Sequence, residues 1–387
     1  MILQEKKQIF RDWGYGMFVH YGLYSLHARG EWVMSKERMK NEEYFAVSPD
    51  FKPKQGCARE WAALAKRAGM KYMVLTTRHH DGFFIGSKLL QEYCDACGEF
   101  GLGVGFYYSV MDWSDSDFKA GPYDPKWSEF VSKTHRQIKE LMTSYGNVDY
   151  LFYDGCPPAE HWNAEILHDE LRQLQPGLLI SSRCNLDEDV YSSEGHSGAH
   201  PGKIWESCYT LNDSWGYNAY DKKWKTAEEV IDLLASIRHN AGTLLLNIGP
   251  MPDGSVQAEE VEILETIGNW LDLNGESIYA INPYPFEYKD QEVSTGRGNV
   301  VYIYLQTSVD YRGPERMIAG IGNKVLKVTM LSDGSDIAFK QSDDKMTLVG
   351  LPFKQTDELP RVLKIELADA PFGIGNPMIP ELSIRIK

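Results

Sequence analysis

Asp154 stands at the end of the run YLFYDG, residues 150–155. Four apolar or aromatic residues precede it without alternation, the pattern of a strand buried on both faces. A carboxylate at the edge of such a core is costly unless something pairs it or uses it. At a strand end it can serve as nucleophile, base, metal ligand or salt-bridge partner. Arg183, at the end of the strand-like run LLISSR, is a cation able to keep it ionised. Other strand-like runs end the same way: His20 after GMFV, then Arg78-His79-His80-Asp81, Tyr107-Tyr108-Ser109, Glu206 in IWESC and Asn247 in TLLLN.

These groups narrow the chemistry. Metal-dependent barrel hydrolases place histidines at strand ends, commonly as His-x-His, whereas the first strand here reads HYG. The adjacent pair His79-His80 is expected to point its rings to opposite sides of a strand, which disfavours a shared ion. No G-x-S-x-G elbow is present, and no phosphate loop or dinucleotide glycine fingerprint follows a strand, so no metal or cofactor is expected. A site of His, Tyr, Trp, Arg and carboxylate suits a neutral polyhydroxylated ligand, because imidazole and phenol hydrogen-bond hydroxyls and aromatic faces stack on C–H groups. Glycoside cleavage needs two carboxyl groups. Asp154 supplies one; Glu194 in YSSEGHSG, Glu206 and Glu31 in GEW are the candidates for the other.

The elements that must position these residues alternate strand and helix from about residue 14 to 275. Helical spacing over 57–70, 88–99, 126–143, 164–174, 226–241 and 261–275 separates the apolar runs. Repeated β–α units predict an α/β fold, a (β/α)8-like, TIM-type barrel over residues 1–282, whose strand ends converge on one mouth. Glu194 falls in a glycine- and serine-rich loop in this reading. After residue 282 the pattern becomes short β runs between turns, from 300–306 to 382–387. Residues 283–387 are expected to form a C-terminal antiparallel β-sandwich.

The net charge of −15 argues against nucleic acid or an anionic membrane surface as partner. The N-terminal stretch has no long apolar segment, and no run reaches the roughly 20 apolar residues of a membrane helix, which predicts a cytoplasmic protein without membrane contact. Cys94 and Cys97 form a lone CxxC on a helical stretch and are expected to be buried free thiols.

The chain resembles the α-L-fucosidases of glycoside hydrolase family 29. The likeness is carried by WGYGMFVHYGLYS, ARGEWVM, EWAALAKRAGMKYMVLTTRHHDGF, VGFYYSVMDW, VDYLFYDG, WESCYTLNDSWGYN, GTLLLNIGPMPDGS and IGNWLDLNGESIY, in order along the barrel region. The resemblance implies hydrolysis of terminal α-L-fucose from fucosylated oligosaccharides or glycoconjugates by double displacement, with Asp154 as nucleophile and Glu194 as acid/base. It implies fucose contacts from His20, His79, His80 and Trp32 beside Glu31, and an apolar wall from Trp215 for the sugar's methyl group. Of the two adjacent tyrosines it assigns Tyr108, in preference to Tyr107, to the position near the nucleophile. Tyr21 replaces the family's usual tryptophan, and the segment between HHDGF and VGFYYS is shorter than usual, so leaving-group preference turns on that region. A metal-dependent barrel hydrolase and a non-catalytic fucose-binding protein are the alternative readings, and a homo-oligomer is compatible with all three.

Overall fold

A computed structural model of the chain describes residues 2–196, 202–283, 293–305, 315–342, 345–351 and 359–371. Eight parallel strands form one sheet: β1 (Tyr15–Val19), β2 (Tyr72–Arg78), β3 (Gly103–Ser109), β4 (Tyr150–Asp154), β5 (Leu179–Ile180), β6 (Val190–Glu194), β7 (Ile204–Thr210) and β8 (Thr243–Ile248). Their spatial order is β5-β4-β3-β2-β1-β8-β7-β6. A single parallel bridge, Ser181 to Val190, joins the two ends, so the sheet is a near-barrel with one thin seam.

Alternation sorts each strand into two faces. Phe18, Tyr72, Val74, Tyr107, Tyr150, Phe152, Leu179, Val190, Ile204, Cys208 and Leu245 point inward and pack as one cluster. Phe10, on the N-terminal helix Leu3–Trp13, joins that cluster and closes the floor, its ring 5.2 Å from Tyr72 and 5.3 Å from Tyr150. The outward faces are buried too, under amphipathic helices such as Cys57–Arg67, which buries Trp61, Ala62, Leu64 and Ala65. Burial on both sides is why these strands show no polar alternation. Cys94 and Cys97 are unbridged and buried on the helix Ser87–Phe100.

Two features departed from the sequence reading. The run 178–183 is strand only at Leu179–Ile180, and Arg183 lies in a one-turn 3-10 helix, Ser182–Cys184. Val190–Glu194 is a strand, so Glu194 ends β6 instead of riding in a loop. Ser192 and Ser193 masked it, because they are poor strand formers.

The chain divides into two compact units, residues 1–226 with 242–269, and 227–241 with 270–387. In the second, a five-stranded antiparallel sheet and a three-stranded one share a single apolar cluster that includes Val301, Ile303, Ile318, Met346 and Leu348. The β run expected at 382–387 lies outside the described residues.

Candidate active site

Asp154 is the last residue of β4 and points into the mouth, two residues beyond inward-facing Phe152. Its Oδ1 accepts hydrogen bonds from Arg183 Nη2 at 2.6 Å and Gly155 N at 2.9 Å. Its Oδ2 accepts one from the Tyr107 hydroxyl at 2.9 Å and lies 3.4 Å from His80 Nε2. Burial pushes the Asp154 pKa up, but the charge of Arg183 and the bonds from Arg183 and Tyr107 outweigh it. The net direction is downward, and the group is a carboxylate at neutral pH. Gly155 takes φ +56°, and a Cβ there would sit 2.7 Å from Met111 Cβ and 3.1 Å from His80 Cε1. The Asp-Gly pair thus lets the chain turn away while His80 stays against the carboxylate.

Tyr107, and not Tyr108, is the tyrosine beside Asp154. Gly105, Tyr107 and Ser109 share the inward face of β3, with Tyr107 opposite Phe152 and Ser109 opposite Asp154 in the ladder. Tyr108 faces outward, where its hydroxyl meets Arg78 and donates to Gln137 Oε1 at 2.7 Å. Arg78 goes with it, paired to buried Asp112 at 2.9 Å. Neither reaches the mouth.

The histidines converge. β2 ends at Arg78, so strand alternation no longer governs residues 79 and 80 and the expected divergence of their rings fails. The two rings lie 4.2 Å apart, with His79 stacked on Tyr107 at 5.6 Å and 5.7 Å from His20. Their hydrogen bonds fix tautomers. His20 Nδ1 is 2.6 Å from Asn247 Oδ1, whose amide nitrogen donates to Trp215 O, so His20 donates from Nδ1 and presents a lone pair at Nε2. Ser109 Oγ donates to Met111 O at 2.9 Å and therefore accepts from His80 Nδ1 at 2.6 Å. Burial holds all three imidazoles neutral: His20 is pushed down to about 3, His79 well below its ordinary value, and His80 lower, against the pull of Asp154. Nε2 of His80 and the Asp154 carboxylate are thus both acceptors for ligand hydroxyl protons.

Aromatic rings wall this pocket. Trp215 lies 5.1 Å from His20 and 5.9 Å from Phe18; Trp32 lies 5.5 Å from His80 and 4.9 Å from Trp113. Glu31 is buried and accepts Gly216 N at 2.8 Å, which ties the Trp32 segment to the Trp215 segment. Tyr21 turns away and donates to Pro252 O at 2.8 Å, so replacing the family's tryptophan leaves the pocket wall untouched. Residues 79–86 alone link β2 to the helix at Ser87, and His79 and His80 lie at their start.

The three candidate second carboxyls separate cleanly. Glu206 lies four residues before the end of β7 and is fully buried inside the barrel, bonded by Tyr72, Tyr150 at 3.1 Å and Ser192 at 3.2 Å. It does not reach the mouth, contrary to its reading as a strand-end group. Glu31 is committed to Gly216. Glu194 is half exposed at the rim, its Oε2 3.8 Å from the same Arg183 Nη2 that grips Asp154. Among the described residues no three His, Cys, Asp or Glu side chains converge as ligands of one metal ion. In the sequence Tyr107, Ser109 and Asn247 read as strand-end groups given no role in the site, and Trp113 is not singled out; the in-phase position of Tyr107 with Ser109 on β3 was the signal available for the first two.

A parallel near-barrel with an ionised aspartate among histidines and tryptophans at its mouth, and a second carboxylate on the rim, defines a glycoside hydrolase. The family model described as Alpha-L-fucosidase matches residues 3–276. The chain belongs to the alpha-L-fucosidase family, as the sequence motifs implied, and the activity of that family is its activity. It is 29% identical to the tissue alpha-L-fucosidase of Homo sapiens over 89% of this chain and 84% of that one. Among solved structures it superposes on alpha-L-fucosidase isoenzyme 1 from Paenibacillus thiaminolyticus with a TM-score of 0.86 at 30% identity, covering 95% of this chain and 99% of that one. A GH29 alpha-L-fucosidase from Bacteroides thetaiotaomicron, solved as a trapped covalent intermediate, gives 0.84 at 27% identity, covering 94% and 96%.

Proposed function

We propose that this protein releases terminal α-L-fucose with retention of configuration, Asp154 acting as nucleophile and Glu194 as acid/base. The observation that carries the assignment is the shared grip of Arg183. Its Nη2 meets Asp154 Oδ1 at 2.6 Å and Glu194 Oε2 at 3.8 Å, so the two carboxylate oxygens are separated by no more than those legs laid end to end, about 6.4 Å. That reach suits the roughly 5–5.5 Å of a retaining pair better than the roughly 6.5–9.5 Å of an inverting one. The covalent intermediate trapped in the Bacteroides relative supports the same route.

In the first step an Asp154 oxygen attacks C1, the C1–O bond to the leaving group breaks, and Glu194 gives its proton to the departing oxygen. In the second, Glu194 takes a proton from water, which attacks C1 and frees Asp154. Neutral His20, His79 and His80 hold the fucose hydroxyls. Trp215, edge-on to Phe18, faces the C5 methyl, which lacks the hydroxyl a polar wall would need.

Asp154→Ala should lower kcat on nitrophenyl α-L-fucoside by at least about a thousandfold, with azide restoring turnover as β-fucosyl azide. Proton NMR of the wild-type reaction should show α-fucose first. An Asp154→Ala enzyme of near wild-type rate would remove the nucleophile from this residue. A harmless Glu194→Ala beside a crippling Glu31→Ala would move the acid/base role to Glu31.

A further inference from the structure

Two mouth loops are tied into one clasp. Arg29, after β1, bridges Asn218, after β7. Gly30 N donates to Tyr217 O at 3.0 Å and Ala219 N to Ala28 O at 3.0 Å. The tip is braced internally: Asn218 Oδ1 accepts Tyr220 N at 3.1 Å, and Asp221 Oδ2 accepts Asp213 N at 2.9 Å and Ser214 Oγ at 2.8 Å. On this braced tip the Tyr220 ring is 81% exposed. Beside it Arg29 forks onto Glu37, Nε to Oε1 at 2.5 Å and Nη2 to Oε2 at 2.8 Å, and both side chains face solvent. The inner end of the same clasp carries Trp32 and Trp215, the walls of the fucose pocket.

Packing does not account for Tyr220, because its ring buries almost nothing. The chain nonetheless holds the backbone beneath it with five hydrogen bonds, two of which make the cross-loop bridge. A ring fixed in water beside a forked Arg–Glu pair matches the needs of a pyranose: a flat apolar face for C–H groups, donors and acceptors for the hydroxyls at its edge. The pair is neutral as a unit and the chain is strongly acidic, which favours an uncharged sugar over a sialylated or sulfated one.

We propose that Tyr220, Arg29 and Glu37 form a leaving-group subsite that takes the neutral oligosaccharide to which the fucose is attached. The inference rests on the Asp154–Glu194 reading and extends it outward along the clasp. It also gives leaving-group recognition a home in a chain whose β2 loop is short.

The test compares kcat/KM on nitrophenyl α-L-fucoside with that on a panel of neutral fucosylated trisaccharides covering the common linkages. The enzymes are wild type, Tyr220→Ala, Tyr220→Phe and Tyr123→Ala, the last removing another exposed tyrosine that lies outside the clasp. At least one trisaccharide should be cleaved, and Tyr220→Ala should lower its kcat/KM about three- to tenfold more than that of the aryl fucoside. Tyr220→Phe should restore the ratio, and Tyr123→Ala should leave it in place. Equal losses on both substrates, the same discrimination from Tyr123→Ala, or a wild type that turns over the aryl fucoside and no trisaccharide would overturn the subsite. A wild type inactive on every fucoside would instead remove the Asp154–Glu194 reading, and the subsite with it. Thermal midpoints of the variants should match wild type, since the ring buries little.

Discussion

At the scale of single residues, the separation of Tyr107 from Tyr108 is the sharpest result. Both are tyrosines on one strand, yet one donates to the Asp154 carboxylate and the other braces a buried arginine behind the barrel wall. Tyr107→Phe removes a hydrogen bond to a charge, worth about 1.5–3 kcal/mol. It should lower kcat/KM about tenfold or more. That bond also helps hold the Asp154 pKa down, so its loss should move the acidic limb of the pH profile upward. Tyr108→Phe should leave that limb unmoved and lower the thermal midpoint, because Arg78 and Gln137 lose a shared partner.

At the scale of elements, the end of β4 is the point where backbone geometry and chemistry meet. Gly155→Ala must place a side chain on a left-handed residue and against Met111 and His80. Strain alone costs about 1–2 kcal/mol, and displacement of His80 adds a loss of activity. The variant should melt lower and show a raised KM for the aryl fucoside, measurable on the purified enzyme. β6 is a second such element. It is held by five paired residues on the β7 side and by one bridge on the β5 side. Hydrogen exchange should find the amides of 190–194 opening faster than those of β1, which is paired along both edges.

At the scale of the whole molecule, buried ionisable groups shape the pH response in opposite directions. The histidines at the mouth bind protons less readily folded than unfolded, so they withdraw stability as pH falls through about 6.5. Glu206 does the reverse. Burial pushes it up to about 7 against the bonds from Tyr72, Tyr150 and Ser192. The folded protein therefore holds its proton where the unfolded chain has lost it, and stability declines as pH rises from about 4.5 toward 7. Glu206→Gln carries no such proton. The midpoint of the variant minus that of wild type should become more positive between pH 5 and pH 8, as calorimetry at several pH values would show.

The residues by themselves determined much of this protein. Unalternated apolar runs separated by helical stretches specify a parallel sheet buried on both faces, and polar residues at the ends of those runs specify a mouth. Asp154, the histidines and the flanking motifs were readable because chemistry there depends on residue type and order along the chain. What only the tertiary structure decided was direction and depth. Whether Tyr107 or Tyr108 faces Asp154 depends on the phase of β3 against β4. Whether Glu206 sits at the rim or within the barrel depends on where β7 ends. The convergence of His79 and His80 depends on the strand stopping one residue earlier. Each is a question of register, and register is set by neighbouring strands far away in sequence, so a reading of one segment at a time could not contain it.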